Sequence, residues 1–389
     1  MYDIIIVGAG AAGIGMGAVF RDMGLTNFTL IDRHKVGASF ARWPQQMRFI
    51  TPSFTSNGFG LLDLNAVTHT TSPAFSLQQE HLSGAEYASY LRSVADHYQL
   101  PIQTEVDVAG VQTLDANGNP CEPAQTASFL LETSAGILQS HFLVWAAGEF
   151  QYPNLVPFDG GEYCIHNAVV RDWGTADFVV NGDEFIVIGG YESGIDAAIN
   201  LVQLGKRVRV LDDYSPWEFA GPDPSLVLSP YTLGRLRSAM ETGQLELMKT
   251  GVVSIERNRA GAGVTVHTTD DQVLHTDSPP VLATGFTGSL PMIEHLLERH
   301  PEGGYVWLTQ EADESRRTPG LFLSGPFVRH GNLIFCFIYK FRQRFAIIAN
   351  AIGTRLGMTA DELDAVFAPY RRYQMFLDDL DCCDDECVC

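Results

Sequence analysis

Four cysteines, Cys382, Cys383, Cys387 and Cys389, crowd the last eight residues, interleaved with Asp384, Asp385 and Glu386. The other three, Cys121, Cys164 and Cys336, are scattered. Thiolates exchange electrons with disulfides and bind soft metals such as zinc or copper(I). The carboxylates around the terminal cluster raise its thiol pKa values, which opposes a reactive thiolate at neutral pH; a bound cation would offset that charge. Three readings follow: a thiol relay on the chain end, a metal or thiol-ligand site, or a solvated acidic end with incidental cysteines. The spacing is not that of a secreted disulfide framework.

A second pattern lies at the start of the chain. Ile4-Ile5-Ile6-Val7 is a continuous apolar run, followed at once by Gly8-Ala9-Gly10-Ala11-Ala12-Gly13 and a small-residue segment to Phe20. A second apolar run, Phe28 to Ile31, ends in Asp32. Strand, glycine turn, helix, strand and acid stand in register. Gly8 permits the tight turn, Gly10 leaves no side chain between backbone and a diphosphate, and Gly13 lets helix and strand pack closely. The helix start offers free N–H groups to phosphate, and Asp32 is placed to accept ribose hydroxyls. This is a dinucleotide-binding pattern.

The elements that position these groups repeat. Glu184 to Ile188 reads as a strand, Gly189-Gly190-Tyr191-Glu192-Ser193-Gly194 as the turn, Ile195 to Leu204 as the helix, and Arg207 to Leu211 as a strand ending in Asp212. The spans Gly8–Asp32 and Gly189–Asp212 differ by one residue. Phe142 to Gly148 closes the first copy, and Val281 to Gly285 closes the second, each a buried strand ending in small residues. The symmetry predicts α/β architecture with two Rossmann-like, three-layer dinucleotide-binding domains, the second inserted in the first. The expected boundaries are 1–160 and 281–377 for the first domain, 161–280 for the second, and 378–389 for an acidic, cysteine-rich tail.

Between these landmarks, Met47 to Ser53 reads as a strand and Ser56 to Gly60 as a turn. Ser83 with Glu86 predicts a capped helix, and alternation from Pro101 to Leu138 and from Leu245 to Leu274 predicts antiparallel strands. A proline-rich loop (Pro216, Pro222, Pro224, Pro230) precedes a helix started by Ser229-Pro230. Gly320 to Pro326 reads as strand into turn, an amphipathic helix begins near Leu333, and a last helix runs from about Thr359 to Leu377.

Composition narrows the partners. The chain has 389 residues, 46% of them apolar, with a formal net charge of −21. That charge repels nucleic acid and anionic membrane surfaces. The longest apolar stretch, Leu333 to Ile352, is interrupted by Lys340, Arg342, Gln343 and Arg344, so no membrane span is expected. Met1 runs almost directly into the first strand, leaving no room for a signal peptide, and a cytoplasmic location is expected.

Two dinucleotide folds, each closed by a small-residue strand, resemble the flavoproteins with two dinucleotide-binding domains: thioredoxin reductases, bacillithiol disulfide reductase-like proteins and flavin-containing monooxygenases. The resemblance covers nearly the whole chain. It implies FAD on the first fold, held by Gly8, Gly10, Ala11, Ala12, Gly13, Asp32 and Arg33, with Ser39, Phe40 and Trp43 beside the flavin and Gly148 closing the strand. It implies NADH or NADPH on the second, at Gly189, Gly190, Tyr191, Gly194, Asp212 and Gly285. Gly325 matches the family's late Gly-Asp, but Pro326 replaces the acid that meets the ribityl chain.

Other departures matter more. Tyr191 replaces the middle glycine of the second turn, where a phenol obstructs nicotinamide dinucleotide docking; it is either a gate or the mark of a degenerate site. Asp212 and Asp213 disfavour a 2′-phosphate, so NADH fits better than NADPH, and a ferredoxin-type donor stays open. No Cys-x-x-Cys lies in the second domain. The tail cysteines become the candidate carriers, as in disulfide and mercuric reductases with C-terminal pairs, reaching the flavin of a partner subunit in a homodimer. His330 lies where the family approaches the flavin pyrimidine and is either a proton relay or a solvent-loop histidine. Lys340, Arg342 and Arg344 are either a wet helix face or charges that stabilise reduced flavin. His166 sits near the monooxygenase fingerprint, but Cys164 takes the expected place. The reading is an FAD-dependent oxidoreductase acting on a thiol or disulfide substrate; the alternatives are a flavin monooxygenase and a redox or soft-metal sensor.

Overall fold

The computed structural model describes residues 1–54, 62–221, 223, 225–258 and 263–380. The terminal cysteine cluster and the turn expected at Ser56 to Gly60 lie outside the described residues.

The opening strand, Tyr2–Val7, has four consecutive buried residues because parallel neighbours and covering helices hide both its faces. It pairs in parallel with Phe28–Asp32 on one side and Gly136–Trp145 on the other. Ile102–Thr104 extends one edge, and the antiparallel strands Ser128–Thr133 and Val108–Leu114 extend the other. The seventh strand, Leu321–Leu323, pairs with the last residues of Gly136–Trp145. The chain thus leaves this sheet, builds a second one, and returns.

The second sheet is entirely parallel, in the order Leu245–Met248, Arg207–Leu211, Glu184–Ile188, Val281–Leu282, Ile165–His166. An antiparallel trio, Val252–Arg257, Val264–Thr268 and Val273–Thr276, stands beside it. Separate hydrophobic cores form around the two sheets. The inserted, doubly Rossmann-like architecture follows from this order.

Small residues decide how the first helix, Ala11–Asp22, is buried. A Cβ on Gly13 would lie 1.9 Å from the Gly8 carbonyl oxygen, and one on Gly15 would lie 2.1 Å from the Phe345 ring. Glycine there lets the helix sit against its own turn and against Phe345–Arg355. Helices Gly84–His97 and Ala360–Arg372 both begin with complete capping boxes, Ser83 with Glu86 and Thr359 with Glu362. Ser229 caps Pro230–Met240.

Three local expectations change. Met47 to Ser53 forms no strand; Arg48 makes only an isolated bridge to Ser83. The segment after Leu333 begins as a two-residue strand, Leu333–Ile334, and turns helical from Ile338, through Ile338–Phe341, a 3-10 turn at Arg342–Arg344, and Phe345–Arg355. The last helix ends at Arg372, after which Met375 bonds back to Tyr370. Among the described residues no helix is long and apolar enough to cross a membrane.

Candidate functional site

The two glycine turns sit at the carboxyl ends of the central strands of their sheets, where open α/β sheets bind ligands. In the first, Gly8 has φ +112°, a conformation that glycine supplies without strain. A Cβ there would press to 2.3 Å from the Ala146 carbonyl oxygen. At Gly10 an added Cβ would meet nothing within 4 Å, so the backbone faces open space. Asp32 braces the turn: Oδ2 accepts from the Ala9 amide at 2.7 Å and Oδ1 from the His34 amide at 2.7 Å. Each carboxylate oxygen keeps capacity for another donor, such as a ribose hydroxyl.

A cavity of about 300 Å³ starts at Gly8, Gly10, Ala11 and Ala12 and passes Asp32, Ser39, Phe40, Trp43, Gly148 and Pro326. It continues past Cys336 and Phe337 to Glu192, Ser193 and Asp196 of the second fold. Its apolar side is an aromatic group in which Phe40 meets Trp43, Phe49 and Tyr87 at centroid distances of 5.4, 5.6 and 4.8 Å. Gly325, with φ +112°, lets the chain pass Ala12: an added Cβ would lie 3.2 Å from the Ala12 Cβ. A diphosphate cradle followed by a long, partly aromatic cavity suits a flavin dinucleotide. Arg33 lies beside it, Nε 3.1 Å from Asp107 and its guanidinium bonded to the Tyr152 hydroxyl.

Asn65 also lines the cavity and is 1% exposed. Its Nδ2 donates to the Thr51 carbonyl at 2.9 Å and to Ser53 Oγ at 2.8 Å. Because a carbonyl only accepts, the amide orientation is fixed, and among the described residues Oδ1 is left as a buried acceptor without a donor. Burial pushes the pKa of Glu149, another lining residue, above the ordinary carboxylate range.

The second turn repeats the bracing but not the opening. Gly189 has φ +100°, and Asp212 Oδ2 accepts from the Gly190 amide at 2.6 Å, as Asp32 does from Ala9. A Cβ on Gly194 would lie 1.8 Å from the Gly189 carbonyl oxygen, the counterpart of the Gly13 contact. Asp212 Oδ1 takes two further amides, from Tyr214 and Ser215. Tyr191 donates its hydroxyl to the Val227 carbonyl at 3.0 Å, and the Trp217 ring lies where a Cβ on Gly190 would come within 2.3 Å. Glu192, in the first helical turn, accepts from the Ser229 amide and Thr232 Oγ1, both at 2.5 Å. Burial raises its pKa against those bonds. Among the described residues, Tyr191 and Glu192 put side chains where the first turn has Gly10 and Ala11, so this turn does not fit a nicotinamide dinucleotide as the first turn fits a diphosphate. Gly285, at φ +78°, gives its carbonyl oxygen to His166 Nε2 at 3.1 Å.

The basic residues after Leu333 are neither a wet face nor free charges. Lys340, Arg342 and Arg344 are all buried. Lys340 Nζ pairs with Asp223 Oδ1 at 2.8 Å and donates to Ser225 Oγ at 2.9 Å, while the Cys336 thiol donates to the same Ser225 oxygen at 3.1 Å. Arg342 ties down the carbonyls of Asp63 and Ala66. Arg344 pairs with Asp313, which also holds His330 Nε2 at 2.7 Å. His330 is therefore not a solvent-loop histidine: it is buried, engaged by Asp313, and outside the cavity lining. His166 is likewise buried, its Nδ1 accepting from the Ala168 amide. Composition gave no sign of the Lys340–Asp223 contact or of the Asn65 acceptor, since both depend on segments far apart in sequence. Among the described residues no group of His, Cys, Asp and Glu is placed to hold a metal.

Comparison with known proteins agrees with the architecture. The chain is 28% identical over 207 residues to an uncharacterized oxidoreductase, CzcO, of Bacillus velezensis, covering 52% of each protein. The chain therefore spans about half the length of this curated relative. It is 25% identical over 235 residues to bacilliredoxin reductase Bdr of Bacillus subtilis, covering 59% of this chain and 67% of that one. The solved bacillithiol disulfide reductase of Staphylococcus aureus superposes with a TM-score of 0.69 at 18% identity, over 91% of this chain and 98% of that one. The model of the pyridine nucleotide-disulphide oxidoreductase family matches residues 5–325, and the chain belongs to that family of oxidoreductases.

Proposed function

We propose that the protein is an FAD-dependent oxidoreductase that passes electrons between its flavin and a thiol or disulfide substrate, with the C-terminal cysteines as carriers. The observation that carries this reading is the open space at Gly10, continuous with a cavity that runs on to Cys336. We assign residues 1–160 and 281–377 to the flavin unit and 161–280 to the second.

In this reading Gly8, Gly10 and the start of helix Ala11–Asp22 hold the diphosphate through backbone amides, and Asp32 holds the ribose. The Ala12 methyl and the bare backbone of Gly325 keep the passage narrow. Phe40 and Trp43 exclude water from the ring end, which strengthens electrostatic contacts there. When bound, the flavin supplies two-electron exchange. Pro326 donates and accepts nothing through its side chain, so the ribityl chain is held by other contacts.

The test is purification followed by anaerobic disulfide turnover with and without residues 382–389. A yellow protein whose disulfide reduction is lost on deletion supports the reading. A colourless protein that takes up no FAD ends it. A yellow protein that reduces disulfides equally well without the tail removes the cysteines as carriers. Hydroxylated product or hydrogen peroxide formed in step with reductant use points to monooxygenase chemistry instead.

A further inference from the structure

The two turns have the same backbone. Gly10 and Tyr191 each precede their helix, with φ/ψ of −84°/−165° and −84°/−170°. A tyrosine is thus not demanded by conformation; glycine adopts the same angles in the first copy. What changes is access. Two side chains stand where the first turn has Gly10 and Ala11. Tyr191 reaches across to Val227, and Glu192 places a carboxylate in a first helical turn that has no acid in the first copy. A diphosphate there would meet the Tyr191 side chain and the Glu192 carboxylate.

The covering segment is also fastened at its far side. Ser229 and Thr232 bind Glu192, and Asp223 and Ser225 bind Lys340 and Cys336 of the first fold. Opening the second turn would break a buried ion pair together with these hydrogen bonds. The cavity agrees: it touches Glu192, Ser193 and Asp196 but not Gly189, Gly190, Tyr191 or Asp212.

We infer that the second fold binds no nicotinamide dinucleotide: its own chain closes the site, and the fold serves instead as the far wall of the flavin cavity. This deepens the flavoprotein reading, on which the word flavin rests; the closure itself rests on the second turn alone. The reducing equivalents then come from a donor other than NADH or NADPH.

The experiment is titration calorimetry of the full chain with NADH and NADPH, with the visible flavin band followed anaerobically in parallel. The expected result for the natural sequence is no heat of binding and no bleaching. In Tyr191→Gly and in the double variant Tyr191→Gly/Glu192→Ala, NADH affinity is expected to rise by roughly tenfold or more. The single variant keeps a glycine backbone already seen at Gly10, and circular dichroism confirms that each variant is folded. Binding or bleaching by the natural protein would overturn the inference, as would folded variants that still bind nothing. A colourless preparation would defeat the flavin reading alone, since calorimetry still reports on the second turn.

Discussion

Lys340 and Asp223 form an ion pair of 2.8 Å between the two folds, with the lysine side chain 3% exposed and the aspartate side chain 15%. Burial works to raise the Asp223 pKa, but hydrogen bonds from Lys340 and from the Ser225 amide and hydroxyl outweigh it and hold the carboxyl below its ordinary range. Removing the lysine leaves a largely buried carboxylate without its cation. Lys340→Met is expected to lower stability by about 2–4 kcal/mol in urea unfolding. Because the folded pKa is depressed, the pair stabilises the protein above the ordinary carboxylate range and loses its effect as pH falls through the folded value. The difference between the natural protein and Lys340→Met should therefore shrink as pH falls from about 5 to about 3. A difference that widens instead would contradict the pairing.

Gly10 and Gly13 should separate binding from folding. Among the described residues a Cβ at Gly10 meets nothing within 4 Å, so Gly10→Ala should change stability by less than about 1 kcal/mol. It should weaken FAD binding by at least roughly tenfold, because the methyl occupies the diphosphate path. A Cβ at Gly13 collides with the Gly8 carbonyl, so Gly13→Ala should cost about 1–3 kcal/mol of stability or more. Thermal melts of the apoprotein and FAD fluorescence titrations check the pair.

Asn65 offers a fixed acceptor to whatever fills the cavity. Oxidised flavin carries one ring N–H, at N3, and the reduced ring keeps it while gaining N5–H, so an acceptor that meets N3–H is paired in either state. Asn65→Ala is expected to weaken FAD binding roughly 5- to 30-fold in both redox states, with little change in midpoint potential. Unaltered affinity would show that the amide faces something else.

Cysteine reactivity should follow burial. Burial, with the Glu162 carboxylate adding to it, pushes the Cys164 thiol up to about 12. At pH 8 only about one Cys164 in ten thousand is thiolate. Its alkylation by iodoacetamide should therefore be very slow and rise about tenfold per pH unit up to about pH 11. Burial also raises the Cys336 thiol, although the Ser225 hydroxyl and Lys340 oppose it. Peptide mass spectrometry of timed aliquots would show the order, and fast labelling of Cys164 at pH 8 would refute the burial argument.

Much of this molecule is legible in its sequence because the signals are local. The run Ile4 to Val7, the glycine spacing that follows, and the repeat from Glu184 to Asp212 each record a short-range requirement: a strand hidden on both faces, a turn with positive φ, a helix that must touch its own strand. The capping boxes at Ser83 and Thr359 are equally local. Such constraints act over a few residues and leave fixed residue types behind.

Tertiary structure decided what those residues face. Nothing near Lys340 in the chain announces Asp223, more than a hundred residues earlier, and nothing around Asn65 shows that Thr51 would fix its amide. Tyr191 reads from sequence as either a gate or a decayed site; only the folded position of Val227 shows where its hydroxyl is held. His330 looks like a loop residue until Asp313, with φ +53°, is brought beneath it. Pattern and propensity specify which way a segment runs and which face is apolar. Pairing between distant polar groups depends on where whole elements come to rest, and that is set by the packing of the two cores.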